Sequence, residues 1–372
     1  DELRRQRQMC IRDRNLILSF QLICIIVIFV NLFLNCNYIM NYSTDNTRII
    51  DKVDLVTPHD VISKYPLNDE ISKLVYGTRN EVSQILHGKD DRLIAVVGPC
   101  SIHDPDSAEE YAKLLLAEKN KYAEDILIIM RVYFEKPRTS IGWKGLINDP
   151  NMDNTFDANK GLFLARSILH KISELGLPVG TEFLDPISPQ FVADLVSWGA
   201  IGARTAESQI HRELASGLSC PIGFKNGTTG DLNPAIYGIK ASNHSHVFFS
   251  NTKEGMVSIY KTSGNSDTHI ILRGGNKPNL YPDDIRETIV TLNAAEANDS
   301  IMIDVSHGNS QKVFKRQLEN ISVVSKQVSD GVNEIRGVMI ESHLAEGNQK
   351  IDGDLKYGQS ITDACIHFED TK

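Results

Sequence analysis

"LIAVVGPCSIHDPDSAEEYAKLLLAEKNKYA", residues 93–123, is an apolar run that breaks at Gly-Pro-Cys and continues as an amphipathic stretch. Five of the first six residues are aliphatic, which suits a buried strand, and the Asp-Pro pair before "DSAEEYAKLLL" suits a helix start. The segment reads as one β/α unit. A cysteine beside an apolar run is by default a small buried hydrophobe, so whether Cys100 does more depends on the rest of the chain.

Working outward, further β-branched apolar runs stand at 126–133, 178–184, 200–205, 221–225, 269–273, 300–305 and 335–341. With 93–99 they make eight candidate strands. Helical patterns lie between most of them, at 106–123, 159–176 and 188–199, each closing near a glycine or proline. Eight strands with intervening helices predict an α/β fold, a (β/α)8 TIM barrel. Between the fifth and sixth runs, "HVFFSNT" and "MVSIYKTSG" read as an inserted β-hairpin at about 244–264. Residues 40–92 read as an N-terminal extension and 93–372 as the catalytic barrel.

The 372 residues are 41% hydrophobic and 23% charged, with a net charge of −9. That is a globular composition, and it argues against nucleic acid as a partner. The first 39 residues stand apart: "LILSFQLICIIVIFVNLFL" (16–34) follows an arginine-rich start and is long enough to enter a bilayer. Met40 opens an ordinary-looking start, so the prefix is read as upstream sequence translated in error, with a signal anchor as the alternative. Of the six cysteines, Cys100, Cys220 and Cys365 lie in the body, widely spaced and without a CxxC pair. This predicts a reducing, cytoplasmic setting, with membrane anchoring through 16–34 only if the prefix is genuine.

Barrel enzymes place their chemistry at the carboxyl ends of the strands. The ends here carry Cys100; Arg131 with Lys136 and Arg138; Glu182; Arg204; Lys225; Arg273; Asp304 with His307; and Glu341 with His343. Singly, each could be half of an ordinary ion pair. Six cations converging on one mouth of an acidic protein call for anionic ligands, phosphate or carboxylate. Cys100, His307, Glu341 and Asp363 form a mixed S, N and O set suited to a catalytic divalent metal, iron, manganese, cobalt or zinc.

The motifs "GPCSIHDP", "MRVYFEKPRTSIGWKGLINDP", "GARTAESQIHRELASGLSCPIGFKNGT", "TSGNSDTHIILRGG", "MIDVSHGNS", "ESHLAEGNQ" and "YGQSITDACIHFEDT" span most of the body. Through them the chain resembles the microbial type I 3-deoxy-D-arabino-heptulosonate 7-phosphate (DAHP) synthases. The resemblance implies metal-dependent condensation of phosphoenolpyruvate with erythrose 4-phosphate, the first step of the shikimate pathway. It matches Cys100, His307, Glu341 and Asp363 to metal ligands. Arg131, Lys136, Arg204, Lys225 and Arg273 match the phosphoenolpyruvate site, and Arg138 and Thr139 the erythrose 4-phosphate site. Lys136 is the candidate proton donor and Glu182 the candidate organiser of water; Arg131 and His307 complete the catalytic set.

The family is commonly inhibited by an aromatic amino acid bound away from the metal. Asp185, Pro189, Gln190, Leu214, Leu218, Ser219, Phe248 and Ser250 match that site, and the serine at 250 leans towards phenylalanine over tyrosine. A homo-dimer or homo-tetramer is implied. Two departures stand out: the prefix, and an end at Lys372 where relatives continue with a last helix. The rival reading from another class is a membrane-tethered, non-catalytic aromatic amino-acid sensor built on the same barrel.

Overall fold

In the computed structural model, which describes residues 1–9, 42–138 and 141–372, the eight β-branched runs pair side by side and in parallel. The chain divides into two units, Asp1–Asp54 and Leu55–Lys372. In the first, residues 2–9 are helical and 42–54 hold turns. The apolar stretch 16–34 lies outside the described residues, and among those that are described no helix is long and apolar enough to cross a membrane.

The second unit begins with α1 (Pro58–Lys64) and α2 (Asp69–Leu86), then alternates β1 (Leu93–Gly98), α3 (Pro105–Lys121), β2 (Ile126–Arg131), α4 (Ala158–Glu174), β3 (Val179–Glu182), α5 (Pro189–Val192), β4 (Trp198–Ile201), α6 (Gln209–Gly217), β5 (Ile222–Lys225) and α7 (Asn233–Ser242). The inserted hairpin is β6 (Val247–Asn251) with β7 (Val257–Lys261). The barrel resumes with β8 (Thr268–Leu272), α8 (Pro282–Ala294), β9 (Ile301–Asp304), α9 (Arg316–Ser329) and β10 (Ile335–His343). After it come β11 (Ala345–Asn348), β12 (Gln359–Ser360), β13 (Ile366–His367) and α10 (Phe368–Thr371). Strand order β1-β2-β3-β4-β5-β8-β9-β10, closed by β1 on β10, is the predicted TIM barrel.

Side chains from alternate positions fill the barrel: Ile94 and Val96, Leu127 and Ile129, Trp198 and Ala200, with Ile271, Met302 and Met339. The last turns of α2 (Val82, Ile85 and Leu86) belong to the same cluster, so the N-terminal extension closes the barrel end away from the strand termini. That helix is held by an Asn68 cap on the Ile71 amide and by acidic residues in its first turn, where they favour the dipole.

Two expectations shift. The predicted helix over 188–199 is only α5 and a 3₁₀ turn at Ala193–Leu195, and 198–199 already belong to β4. The guanidinium of Arg79 binds the carbonyls of Ala193 and Val196, and that of Arg166 binds the carbonyl of Phe191. Carbonyls that would extend the helix are therefore taken by side chains from distant segments. The fourth strand, expected at 200–205, ends at Ile201 instead. The Gly202 carbonyl accepts from the amides of Thr205 and Ala206 and turns the chain there.

Candidate active site

Strand β1 ends where Gly98 adopts φ 155°, and a Cβ there would stand 2.7 Å from the Arg131 carbonyl. Glycine thus lets β1 and β2 run close enough to bring Arg131 beneath Cys100. Arg131 is 0% exposed. Its Nη2 lies 2.9 Å from Glu341 Oε1 and 3.3 Å from the Cys100 carbonyl, while Nε reaches the Pro99 carbonyl at 3.1 Å. It faces the back of the site rather than the cavity.

In front of that pair, donor atoms of Cys100, Glu341 and Asp363 all lie within 4.8 Å of one another. Burial pushes the Cys100 thiol up to about 11, Glu341 adds to the shift, and Lys136 opposes it. A sulfur and two carboxylates gathered so closely, on a thiol that resists losing its proton, fit a divalent cation, which would favour the thiolate. His307 does not fall within that 4.8 Å set, but its Nε2 lies 3.6 Å from Glu341 Oε1. Its backbone takes a left-handed φ of 48°, unusual for a histidine and a common device for aiming a site residue. Nδ1 is 2.8 Å from Asp304 Oδ2 and 2.7 Å from Ser306 Oγ, which leaves Nε2 towards the site.

Asp304 is the residue whose role the sequence reading missed. Fully buried at the end of β9, it also pairs with Lys225 Nζ at 3.0 Å. Burial works against its charge, yet His307 and Lys225 hold it well below the usual carboxylate range. The signal was available: an acid three residues before a histidine at a strand end, opposite a lysine on another strand.

Lys136 places Nζ 3.1 Å from Cys100 Sγ and 3.2 Å from the Cys100 carbonyl. Burial lowers its basicity, but Cys100 and Glu341 outweigh that and the group lies above the ordinary lysine value. It is therefore an ammonium at neutral pH. Glu182 is 7% exposed, and a Cβ at residue 202 would meet its Oε1 at 2.5 Å, so Gly202 leaves the room that carboxylate occupies. Lys136, Arg138, Glu182, Arg204, Lys225, Arg273, His307, Glu341 and Asp363 all line one cavity of about 840 Å³. Cys100 and Arg131 sit behind its wall, and Thr139 lies outside the described residues.

A second cavity of about 650 Å³ opens under the hairpin. Of the residues expected at a regulatory site, Pro189, Gln190, Leu214, Leu218, Ser219, Phe248 and Ser250 line it, together with Arg79, Lys253 and Tyr260. Asp185 does not; its carboxylate accepts from the Ile187 and Ser188 amides in the loop before α5. Phe248 stacks on Tyr260 with ring centroids 6.1 Å apart, giving the pocket an aromatic wall.

Comparison with known proteins gives matches over most of the chain. Residues 67–372 match the DAHP synthetase I family. The Phe-sensitive phospho-2-dehydro-3-deoxyheptonate aldolase of Escherichia coli K12 is 53% identical over 334 residues, 89% of this chain and 95% of that protein. The Trp-sensitive aldolase of the same strain is 50% identical over 331 residues, 88% of this chain and 95% of its own length. Among solved structures, phospho-2-dehydro-3-deoxyheptonate aldolase from Francisella tularensis superimposes with a TM-score of 0.85 at 50% identity, covering 87% of this chain and 95% of that one.

Proposed function

The chain belongs to the DAHP synthetase I family, an enzyme family, and we propose that the strand-end cavity is where it condenses phosphoenolpyruvate with erythrose 4-phosphate. The carrying observation is the convergence of Lys136, Arg138, Arg204, Lys225 and Arg273 with Glu182, Glu341 and Asp363 around one cavity. Two phosphorylated substrates require that many cations, and the carboxylates and thiol supply the remaining chemistry.

In this reading Arg204, Lys225 and Arg273 hold phosphoenolpyruvate, with Lys136 at its edge. Arg138 and Thr139 hold the erythrose 4-phosphate phosphate. Arg131 supports the phosphoenolpyruvate end from behind by fixing Glu341. Cys100, His307, Glu341 and Asp363 hold a divalent ion, manganese, iron, cobalt or zinc, which when bound supplies Lewis-acid polarisation of the aldehyde carbonyl. The C3 carbon of phosphoenolpyruvate forms the new bond to the aldehyde carbon. The aldehyde oxygen takes a proton from Lys136 Nζ, water adds at C2 under the Glu182 carboxylate, and the C2–O bond breaks to release phosphate. The products are DAHP and phosphate.

The second cavity is read as a feedback site for an aromatic amino acid, phenylalanine favoured by Ser250 over tyrosine. Its support is the Phe248–Tyr260 wall and the polar Ser219, Gln190 and Arg79 groups beside it. A homo-oligomer in the cytoplasm completes the proposal. The membrane-tethered, non-catalytic sensor is not favoured, because the chain keeps Cys100, His307, Glu341 and Asp363 at the positions that the family resemblance matches to metal ligands. The test is phosphate release by the manganese-loaded protein. Release that requires both substrates supports the proposal; release from phosphoenolpyruvate without the aldehyde, or none at all, overturns it.

A further inference from the structure

Three asparagines that the proposed reaction does not use join the ends of β5, β8 and β9. Asn226, directly after Lys225, is 0% exposed and Asn309 is 2% exposed; Asn279 is half-buried. None of them lines the cavity. Asn226 Oδ1 accepts from the Arg273 amide at 2.8 Å and from Asn279 Nδ2 at 3.2 Å. Its Nδ2 donates to the carbonyls of Gly227 at 2.9 Å and Gly274 at 3.1 Å. Both donors and both lone pairs of that amide are therefore used, and its main-chain partners fix which end is oxygen. Asn279 Oδ1 accepts from the Gly274 amide at 2.7 Å, while the Asn279 amide donates to Asn309 Oδ1 at 2.8 Å. Asn309 Nδ2 closes the set on the carbonyls of Leu272 and Asp304.

The backbone of Arg273 is thus gripped on both sides, since its carbonyl also accepts from the Gly308 and Asn309 amides at 2.9 and 3.2 Å. Glycine permits that approach: a Cβ at 308 would stand 2.7 Å from the Gly274 carbonyl carbon. The guanidinium is held differently. It lines the cavity, and among the described residues it reaches the Gly274 carbonyl, at 3.4 Å, and no carboxylate. Arg131 and Lys225, by contrast, are each tied to a buried acid. The placement of the Arg273 side chain therefore comes from its main chain.

We propose that Asn226, with Asn279 behind it, is a positioning residue for phosphoenolpyruvate, which fixes the Arg273 backbone and so aims the guanidinium at the ligand. A fully bonded, buried amide gives that backbone one position. A displacement of about 1 Å at a charged contact is enough to weaken it ~10- to 100-fold.

This inference rests on reading Arg273 as a phosphoenolpyruvate ligand. The experiment uses manganese-loaded wild-type protein, Asn226→Ala, Asn279→Ala, Arg273→Ala and the Asn226→Ala/Arg273→Ala double variant. Phosphoenolpyruvate affinity is measured by calorimetry, with kcat and the KM for erythrose 4-phosphate alongside. Asn226→Ala is expected to lose phosphoenolpyruvate affinity by at least ~10-fold, with kcat at saturation and the KM for the aldehyde within about threefold. A merely structural asparagine would instead lower the active fraction and leave affinity unchanged. In the Arg273→Ala background the same change should cost less than about twofold, because the residue it acts through is gone. Asn279→Ala, at a half-buried position, should show the same pattern more weakly and carries the test if Asn226→Ala does not fold. Wild-type affinity in the folded asparagine variants, or fully multiplicative losses in the double variant, overturns the inference while leaving Arg273 as a ligand. Unchanged affinity in Arg273→Ala removes that reading and the inference with it.

Discussion

At the strand ends, charge is buried and paired: Arg131 with Glu341 at 2.9 Å, and Lys225 with Asp304 at 3.0 Å, in each case with almost no exposure. Around the hairpin cavity, the walls include Leu214, Leu218, Phe248 and Tyr260, and the charged groups there, Arg79, Asp194, Lys253 and Lys261, stand among apolar side chains and hydroxyls rather than at strand ends. The first region has its cost of desolvation met by rigid strand backbones that hold opposite charges together. The second is assembled from side chains of α2, α5, α6 and the β6–β7 ribbon, elements outside the barrel sheet. A site for charged reactants and a site for a regulator thus differ in what holds them as well as in what lines them.

The widest separation of the two regions comes from Lys136→Met. Turnover is expected to fall ~10²- to 10⁴-fold, as for loss of a positioned acid, while phosphoenolpyruvate affinity and phenylalanine binding stay within a few-fold. Steady-state kinetics with equilibrium binding read both quantities, and equal losses in turnover and phosphoenolpyruvate binding would count against the proton-donor role.

From the other side, Phe248→Ala removes the aromatic wall. Phenylalanine affinity should weaken by at least ~10-fold, in line with a lost buried aromatic contact, with kcat unchanged in its absence. A matching fall in uninhibited kcat would mean that the hairpin serves the catalytic cavity directly and would erase the contrast.

The smallest effect lies in the barrel interior, beneath both. His269 is fully buried beside Trp198, and burial pulls its imidazole down to about 3. Its folded-state value is below that of the unfolded chain, about 6.5, so its contribution to stability is complete above pH 6.5. Between there and pH 3 the unfolded chain takes up a proton that the folded one refuses, costing up to ~1.4 kcal/mol per pH unit. His269→Gln should flatten the decline in denaturant midpoint between pH 6.5 and 5; a slope identical to wild type would remove His269 as a source of acid sensitivity.

The contrast also governs what could be read from sequence. Cys100, Glu182, Lys225, Asp304 and Glu341 each fall in or directly after a run of β-branched residues, and a barrel brings such ends together whatever their separation in the chain. The hairpin was equally plain as two alternating runs. Contacts between distant segments were not legible. Nothing local says that Arg79 and Arg166 will take the carbonyls beyond Phe191, and the expected helix over 188–199 was accordingly too long. Arg131 read as a substrate cation, and its buried pairing with Glu341, allowed by the close approach at Gly98, was not legible. Asn226 passed unnoticed because its partners, Arg273 and Asn279, lie 47 and 53 residues away.

The central claim is that Cys100, Glu341 and Asp363, with His307 beside them, form a metal centre on which turnover depends. The direct measurement is metal content and phosphate release on one preparation: after chelation, after manganese is restored, and again for Cys100→Ala. The account predicts one ion per wild-type chain, activity lost on chelation and recovered with manganese, and neither tight binding nor recovery in the variant. Undiminished turnover by chelated, metal-free protein, or by Cys100→Ala, would contradict it.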